Sequence, residues 1–204
     1  IEAALAERGA ALRGGELEAR LRRERIDVTT PGRPVRRGSL HPSIEVMTDI
    51  ARVLAQFGFV VVESPEIEDD RTNFQMLNIP PDHPARDLWD TYHVNIQGGV
   101  LRTHTSPGQI RYMREHAPDP IRVIVPGMVY RYEQVTTRAE TQFNQVELLV
   151  VGRQVTFADL KGTLVDFARR MFGDEVRTRF RPSYFPFTEP SADMEVECFI
   201  CGGA

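Results

Sequence analysis

Residues 129–147 read VYRYEQVTTRAETQFNQVE, two alternating runs separated by a polar stretch. Strand alternation puts Arg131 and Glu133 on one face of the first run, Tyr130-Arg131-Tyr132-Glu133. It likewise puts Gln145 and Glu147 together on the second, Phe143-Asn144-Gln145-Val146-Glu147. The intervening residues, 134–142, suit a long hairpin loop. If the runs pair, two carboxylates, a guanidinium and an amide converge on one sheet face whose strands lead into apolar sequence. Buried polar groups need partners, so such a concentration points to a ligand or to a closed network. A solvent-facing sheet with ordinary cross-strand ion pairs fits the same pattern.

Elements of both periods flank this hairpin. Ile44, Met47, Ala51, Leu54 and Phe57 share a helical face, and Gly58 stands where a helix ends. Phe59–Val62 is β-branched and strand-like, and residues 73–84 are loop-rich. Val100–Thr105 reads as a strand, followed by Ser106-Pro107-Gly108-Gln109, a helix start with Ser106 as N-cap. Strands are expected over Arg122–Val125, Val129–Glu133 and Phe143–Val151. Thr156 and Asp159 then cap a helix that buries Leu160, Leu164, Phe167 and Met171 and closes at Gly173. Val176–Arg181 and Met194–Ile200 are again strand-like. Short connections between strands predict an antiparallel sheet with helices packed on one side, an α+β domain over residues 40–204.

Residues 1–39 differ in kind. Leu5, Leu12, Leu17 and Leu21 are sparse on a charged helix interrupted at Gly14-Gly15, which reads as the end of a coiled-coil arm followed by a linker. The net charge of −4 hides a segregation. Residues 20–37 hold seven arginines against Glu24 and Asp27, so this segment carries +5 and the rest of the chain −9. Clustered arginines suit phosphate contacts, and they suit a solvated helix face equally. With 204 residues, 41% apolar, the chain can bury a core, which excludes a disordered or collagen-like chain. No apolar run approaches the ~18 residues of a membrane helix. Two cysteines and no signal-peptide pattern point to a reducing cytoplasm. Ile1 at the start and Gly202-Gly203-Ala204 straight after a strand-like run read as cut ends.

Five ordered motifs resemble bacterial phenylalanyl-tRNA synthetase α subunits, a family of class II aminoacyl-tRNA synthetases. Phe57–Pro65 is similar to motif 1, a helix and strand ending at a proline. Asn73-Phe74, Leu77-Asn78-Ile79-Pro80 and Asp82–Asp87 follow; then come Arg102–Pro107, the motif 2 hairpin Tyr130–Glu147, and Tyr184–Pro190. The likeness covers residues 24–200.

The resemblance implies the class II catalytic fold with a short N-terminal arm, and ATP-dependent activation of phenylalanine followed by transfer to tRNA(Phe). It implies that Arg131 clamps the α-phosphate and the amino-acid carboxylate, a task that suits a planar guanidinium. Glu133 would accept from the adenine amino group. Gln145 and Glu147 would hold the substrate ammonium with His104 and Ser106, and Trp89 would lie near the bound amino acid. Phe185 and Phe187, facing the same way on a pleated strand around Pro186, would pack on the substrate ring. Glu189 would bind magnesium in a site shared with a β subunit, in an α2β2 assembly. An apolar pocket rejects an added hydroxyl only about a hundredfold, so tyrosine should leak through. The family's editing site lies on the β subunit, a second reason to expect that partner.

Each residue also has a plainer reading. Ser106 could simply cap a helix, His104 and Trp89 could be core residues, Glu133 and Glu147 structural ion pairs, and the two phenylalanines ordinary core. The chain also departs from the family pattern. The motif 2 loop has Arg138 in place of the usual histidine, Asn144 stands where many members have histidine, and no glycine-rich motif 3 follows. Cys198 and Cys201 resemble half of a cysteine cluster; zinc would need two further ligands, so thiols are expected. The alternative functions are a non-catalytic synthetase-like module that binds tRNA or a protein, and a related synthetase for another amino acid. With motif 3 absent, these 204 residues alone are expected to show no phenylalanine-dependent ATP–pyrophosphate exchange; steady exchange by them would refute this.

Overall fold

In a computed structural model of the chain the described residues are 1–29, 31–32, 38–83, 91–185, 187–198 and 200–202. They divide into two compact units, Ile1–Ser39 and Leu40–Ala204. The first is dominated by one helix, α1 (Glu2–Arg23), which buries no residue and leaves its leucines exposed. Gly14-Gly15 does not interrupt it. Each glycine costs a helix only about 1 kcal/mol, and strong helix formers on both sides outweigh that.

The elements of the second unit run, in chain order, α2 (Pro42–Ala55), β1 (Val60–Val61), β2 (Ile67–Asp69), α3 (Asp70–Asn73), a 3-10 turn (Gln75–Leu77), β3 (Gly99–Leu101), α4 (Ser106–His116), β4 (Ile121–Tyr130), β5 (Gln142–Val151), α5 (Phe157–Phe172), β6 (Thr178–Phe185) and β7 (Thr188–Val196). The central sheet has the order β1-β4-β5. β4 and β5 are antiparallel over ten pairs, from Ile121↔Val151 to Tyr130↔Gln142. β1 runs parallel to β4, a correction to the antiparallel expectation, and a long crossover joins the two. β2 with β3, and β6 with β7, form separate antiparallel pairs. The architecture is α+β.

Register explains how the sheet is covered. Leu54, Phe59 and Ile124 are buried together with Ile50, Phe57, Val146, Leu148, Val150 and Phe167, which packs α2 and α5 on one face. A Thr156–Asp159 capping box starts α5 as expected. α4 lies on the opposite face: a Cβ at Gly108 would meet Val125 Cγ1 at 2.6 Å. Helices therefore occupy both faces of the sheet, not one. Arg111 of α4 also makes a two-pronged ion pair with buried Glu68 of β2.

The two strands expected around Pro126-Gly127 are a single strand, because Arg102 takes over where β1 stops. β1 pairs only with Val123 and Ile124 of β4. Ile124, Met128 and Tyr130 all turn backbone groups to that side, and Pro126 shares their parity, so its missing N–H faces no ladder. Beyond it, Arg102 accepts from the Tyr130 amide at 2.9 Å and donates through Nε to the Met128 carbonyl at 2.7 Å. Its Nη1 donates to Ser64 O at 2.8 Å, Ser64 Oγ at 2.9 Å and Pro65 O at 3.2 Å. The residue is 2% exposed.

Gly127 makes room for this guanidinium, since a Cβ there would lie 2.0 Å from Arg102 Nη2. Gly127→Ala is expected to break the network and cost about 3 kcal/mol. Gly162→Ala, on an exposed and open stretch of α5, should instead stabilise by about 0.5–1 kcal/mol. Urea unfolding of both variants checks the pair of signs.

Candidate functional site: a cleft over the β4–β5 hairpin

The start of α4 is where sequence and structure part most usefully. Thr105, not Ser106, is the N-cap; it has helical φ/ψ and makes no side-chain cap bond. Ser106 is already helical, and its hydroxyl donates to Glu147 Oε2 at 2.7 Å. One turn on, Gln109 Nε2 donates to the same oxygen, also at 2.7 Å. Glu147 stands opposite Val125 and Gln145 opposite Gly127, on the face that α4 covers. Gln145 Oε1 accepts from the Thr105 amide at 3.3 Å. Its second lone pair and its NH2 can still serve a ligand.

Arg131 extends the same face by one step. Its amide donates to Thr141 O at 3.0 Å, its Nε donates to Thr103 O at 3.0 Å, and its guanidinium lies 5.1 Å from the Phe143 ring centre. Arg131, Gln145, Glu147, His104, Ser106 and Phe187 line one cleft of about 610 Å³. Glu133 does not join them. The chain turns after Arg131, with the Glu133 amide bonded to Arg131 O at 2.9 Å, so strand alternation no longer applies. Glu133 instead lines a second cavity of about 500 Å³ with Arg138, Phe143 and Arg131. Arg131 borders both.

Phe185 and Phe187 are not successive positions on one strand. They flank the β6–β7 turn, with ring centres 6.0 Å apart at 32°. Phe187 reaches the cleft, whereas Phe185 lines a neighbouring cavity with Glu189. The two cavities share Asn78, Phe187 and Thr188. Among the described residues no group of three His, Cys, Asp or Glu could hold a metal, so Glu189 stands as a single carboxylate. Cys198 and Cys201 are exposed thiols. Asn144 sits opposite Met128 and lines a groove of about 820 Å³ against α2. That larger groove is on the other face and holds none of the converging groups. Trp89 lies outside the described residues.

Burial tunes the cleft's titrating groups. It raises the Glu147 carboxyl above its usual range, against the opposing effects of the Ser106 hydroxyl, the Thr105 backbone and the Arg131 charge. Burial first, and Arg131 second, push His104 down to about 3, with a backbone hydrogen bond to Asn73 acting the other way. His104 is therefore neutral near pH 7. The cleft presents one fixed cation, one carboxylate and uncharged polar groups, an arrangement suited to an ammonium at one end and oxyanions at the other.

Gln109, Phe143, Asn73 and Thr103 lie in stretches quoted above, but the sequence reading gives them no role in the site. Gln109 had a usable signal, because positions i and i+3 of a helix share a face with Ser106. Phe143 shares the parity of Gln145 and Glu147, which also marked it. Asn73 and Thr103 carried no comparable local pattern.

This fold is that of a class II synthetase core. A family profile described as "tRNA synthetases class II core domain (F)" matches residues 25–203, and the chain belongs to that family. Its similarity is specific. The chain is 54% identical over 208 residues to the "Phenylalanine--tRNA ligase alpha subunit" of Roseiflexus castenholzii, covering 100% of this chain and 60% of the relative. It is 58% identical over 185 residues to the protein of that name from Roseiflexus sp. (strain RS-1), covering 89% and 53%. For the Herpetosiphon aurantiacus protein the figures are 54% over 198 residues, covering 95% and 57%. The chain thus spans between 53% and 60% of the length of these relatives.

A raised carboxyl pKa in the fold means that Glu147 costs stability once it is charged. That cost is absent below the unfolded-state pKa and grows as pH rises through the folded one. Glu147→Gln can still accept from Ser106 and Gln109. It is expected to stabilise by about 1 kcal/mol at pH 7, with the gain vanishing towards pH 4. Urea midpoints of both forms across that range test the sign.

Proposed function

We propose that the full-length protein activates phenylalanine with ATP and transfers it to tRNA(Phe), as the α subunit of a two-subunit ligase. The observation that carries this reading is the position of Arg131 at the border of two cavities. One contains the groups that suit an amino acid, and the other contains Glu133, Arg138 and Phe143, which suit a nucleotide. A carboxylate in the first and an α-phosphate in the second would meet at one guanidinium.

Activation requires no enzyme nucleophile. A substrate carboxylate oxygen attacks the α-phosphorus, the α–β bridging bond breaks and pyrophosphate leaves; the tRNA hydroxyl later attacks the carbonyl carbon and releases AMP. Rate enhancement then comes from alignment and charge neutralisation. Arg131 neutralises the reacting oxyanions. Glu147 pairs with the substrate ammonium, held in place by Ser106 and Gln109. Gln145 and neutral His104 complete the polar end, and Phe187 packs on the ring with Phe185 against it. Glu133 accepts from the adenine amino group, and Arg138 supplies a cation to the phosphates. Magnesium entering with ATP would be held chiefly by the phosphates, with Glu189 as one carboxylate, and would neutralise their charge. Residues 1–39 form the end of a tRNA-contacting arm. The words "alpha subunit" in the relatives' names support a β-subunit partner, and the tRNA substrate implies the cytoplasm.

The test is phenylalanine-dependent ATP–pyrophosphate exchange by the full-length chain with its partner. Arg131→Ala is expected to lower kcat at least about a hundredfold. Tyrosine should be activated roughly a hundredfold less efficiently than phenylalanine. No exchange with phenylalanine, or a preference for a non-aromatic amino acid, would refute the reading.

A further inference from the structure

The clamp residue Arg131 is aimed by a backbone carbonyl, that of Thr103, at 3.0 Å. Arg102 pins the start of this segment, its amide donating to Glu66 O and its carbonyl accepting from the Tyr130 amide, and the Thr105 amide is tied to Gln145. At Thr103 itself a buried amide makes the tie. Asn73 Nδ2 donates to Thr103 Oγ1 at 3.1 Å, and Asn73 Oδ1 accepts from the Thr103 amide at 3.4 Å. Both residues are 0% exposed.

Asn73 is itself rigidly placed. It ends α3, whose N-cap Asp69 accepts from the Thr72 amide at 2.7 Å and the Thr72 hydroxyl at 2.8 Å. The chain then passes directly through the 3-10 turn into Leu77, Asn78 and Ile79, which line the cleft. Asn73 thus links the cleft wall to the residue that holds the clamp. Arg131 also lies over the Phe143 ring at 5.1 Å; a ring face is a weakly directional contact, whereas a hydrogen bond from Nε is directional.

We propose that Asn73, acting through Thr103, is a positioning residue for Arg131 and sets the rate of the adenylate-forming step. This rests on the activation reaction assigned to the cleft. It requires that disturbing the Asn73–Thr103 pair lower kcat while leaving amino-acid binding nearly unchanged, because Glu147, Gln145 and Ser106 are held by other bonds.

The experiment measures exchange kinetics in the full-length chain with its partner subunit. Thr103→Val keeps the shape and removes the acceptor; kcat should fall roughly thirtyfold with KM for phenylalanine changed less than about threefold, and Thr103→Ser should restore kcat to within about threefold. In an Arg131→Lys background, which lacks the Nε donor, Thr103→Val should cost less than about threefold more. If Thr103→Val fails to fold, Asn73→Leu with Thr103→Val removes both polar partners together, and it should show the same fall in kcat. An unchanged kcat, a fall carried by KM, or losses that multiply in the Arg131→Lys background would overturn the inference. If the unmutated complex shows no phenylalanine-dependent exchange, the reaction itself is wrong and the inference falls with it.

Discussion

A buried arginine with uncharged acceptors holds this domain together. Arg102 spends its donors on Met128 O, Ser64 O, Ser64 Oγ and Pro65 O, and its own backbone continues the edge of β4 past the point where β1 ends. A guanidinium out of water is costly unless every donor is used and opposite charge is near. Burial lowers its pKa, and the charges of Glu66 and Glu68 oppose that. Arginine stays protonated regardless, so its buried donors need acceptors, and Nε and Nη1 have them. This demand explains Gly127, and it explains why a strand containing a proline runs unbroken. It also anchors the segment that carries Thr103, His104, Thr105 and Ser106 into the cleft.

The cleft itself works against stability. Glu147 is kept partly from water and its charge is disfavoured, while His104 is buried beside a cation. A sheet built only for strength would place apolar groups there, as the opposite face does with Val146, Leu148 and Val150. Paired polar groups that are oriented but incompletely neutralised gain from a ligand that completes them. The same physics makes one face of β5 a core and the other a candidate binding surface.

Much of this was legible in residue order. Period-2 alternation in residues 143–147 placed Gln145 and Glu147 on one face, and they are there. The α5 capping box was legible as well, because it is closed within four residues. Glu133 was misplaced because alternation holds only while the strand does, and β4 ends at Tyr130. Ser106 was read as a cap because its residue type and the following proline favour one; a carboxylate forty-one residues away competes for the same hydroxyl. Phe185 and Phe187 were read on one strand where the chain turns between two.

The sequence alone determined the inventory of chemistry and its local periodicity: an alternating hairpin, an apolar helix face, a segregated charge, and an amide and a carboxylate, Gln145 and Glu147, on one strand face. Those are decided by bonds and spacings over a few residues. Tertiary structure alone decided which of these groups meet. It turned α4 over the far face of the sheet, delivered Ser106 and Gln109 to one oxygen of Glu147, separated Glu133 into its own cavity and brought Asn73 against Thr103. The physical reason is that each of these contacts joins segments distant in the chain, and its partner is chosen by burial and unsatisfied donors, which no local pattern records.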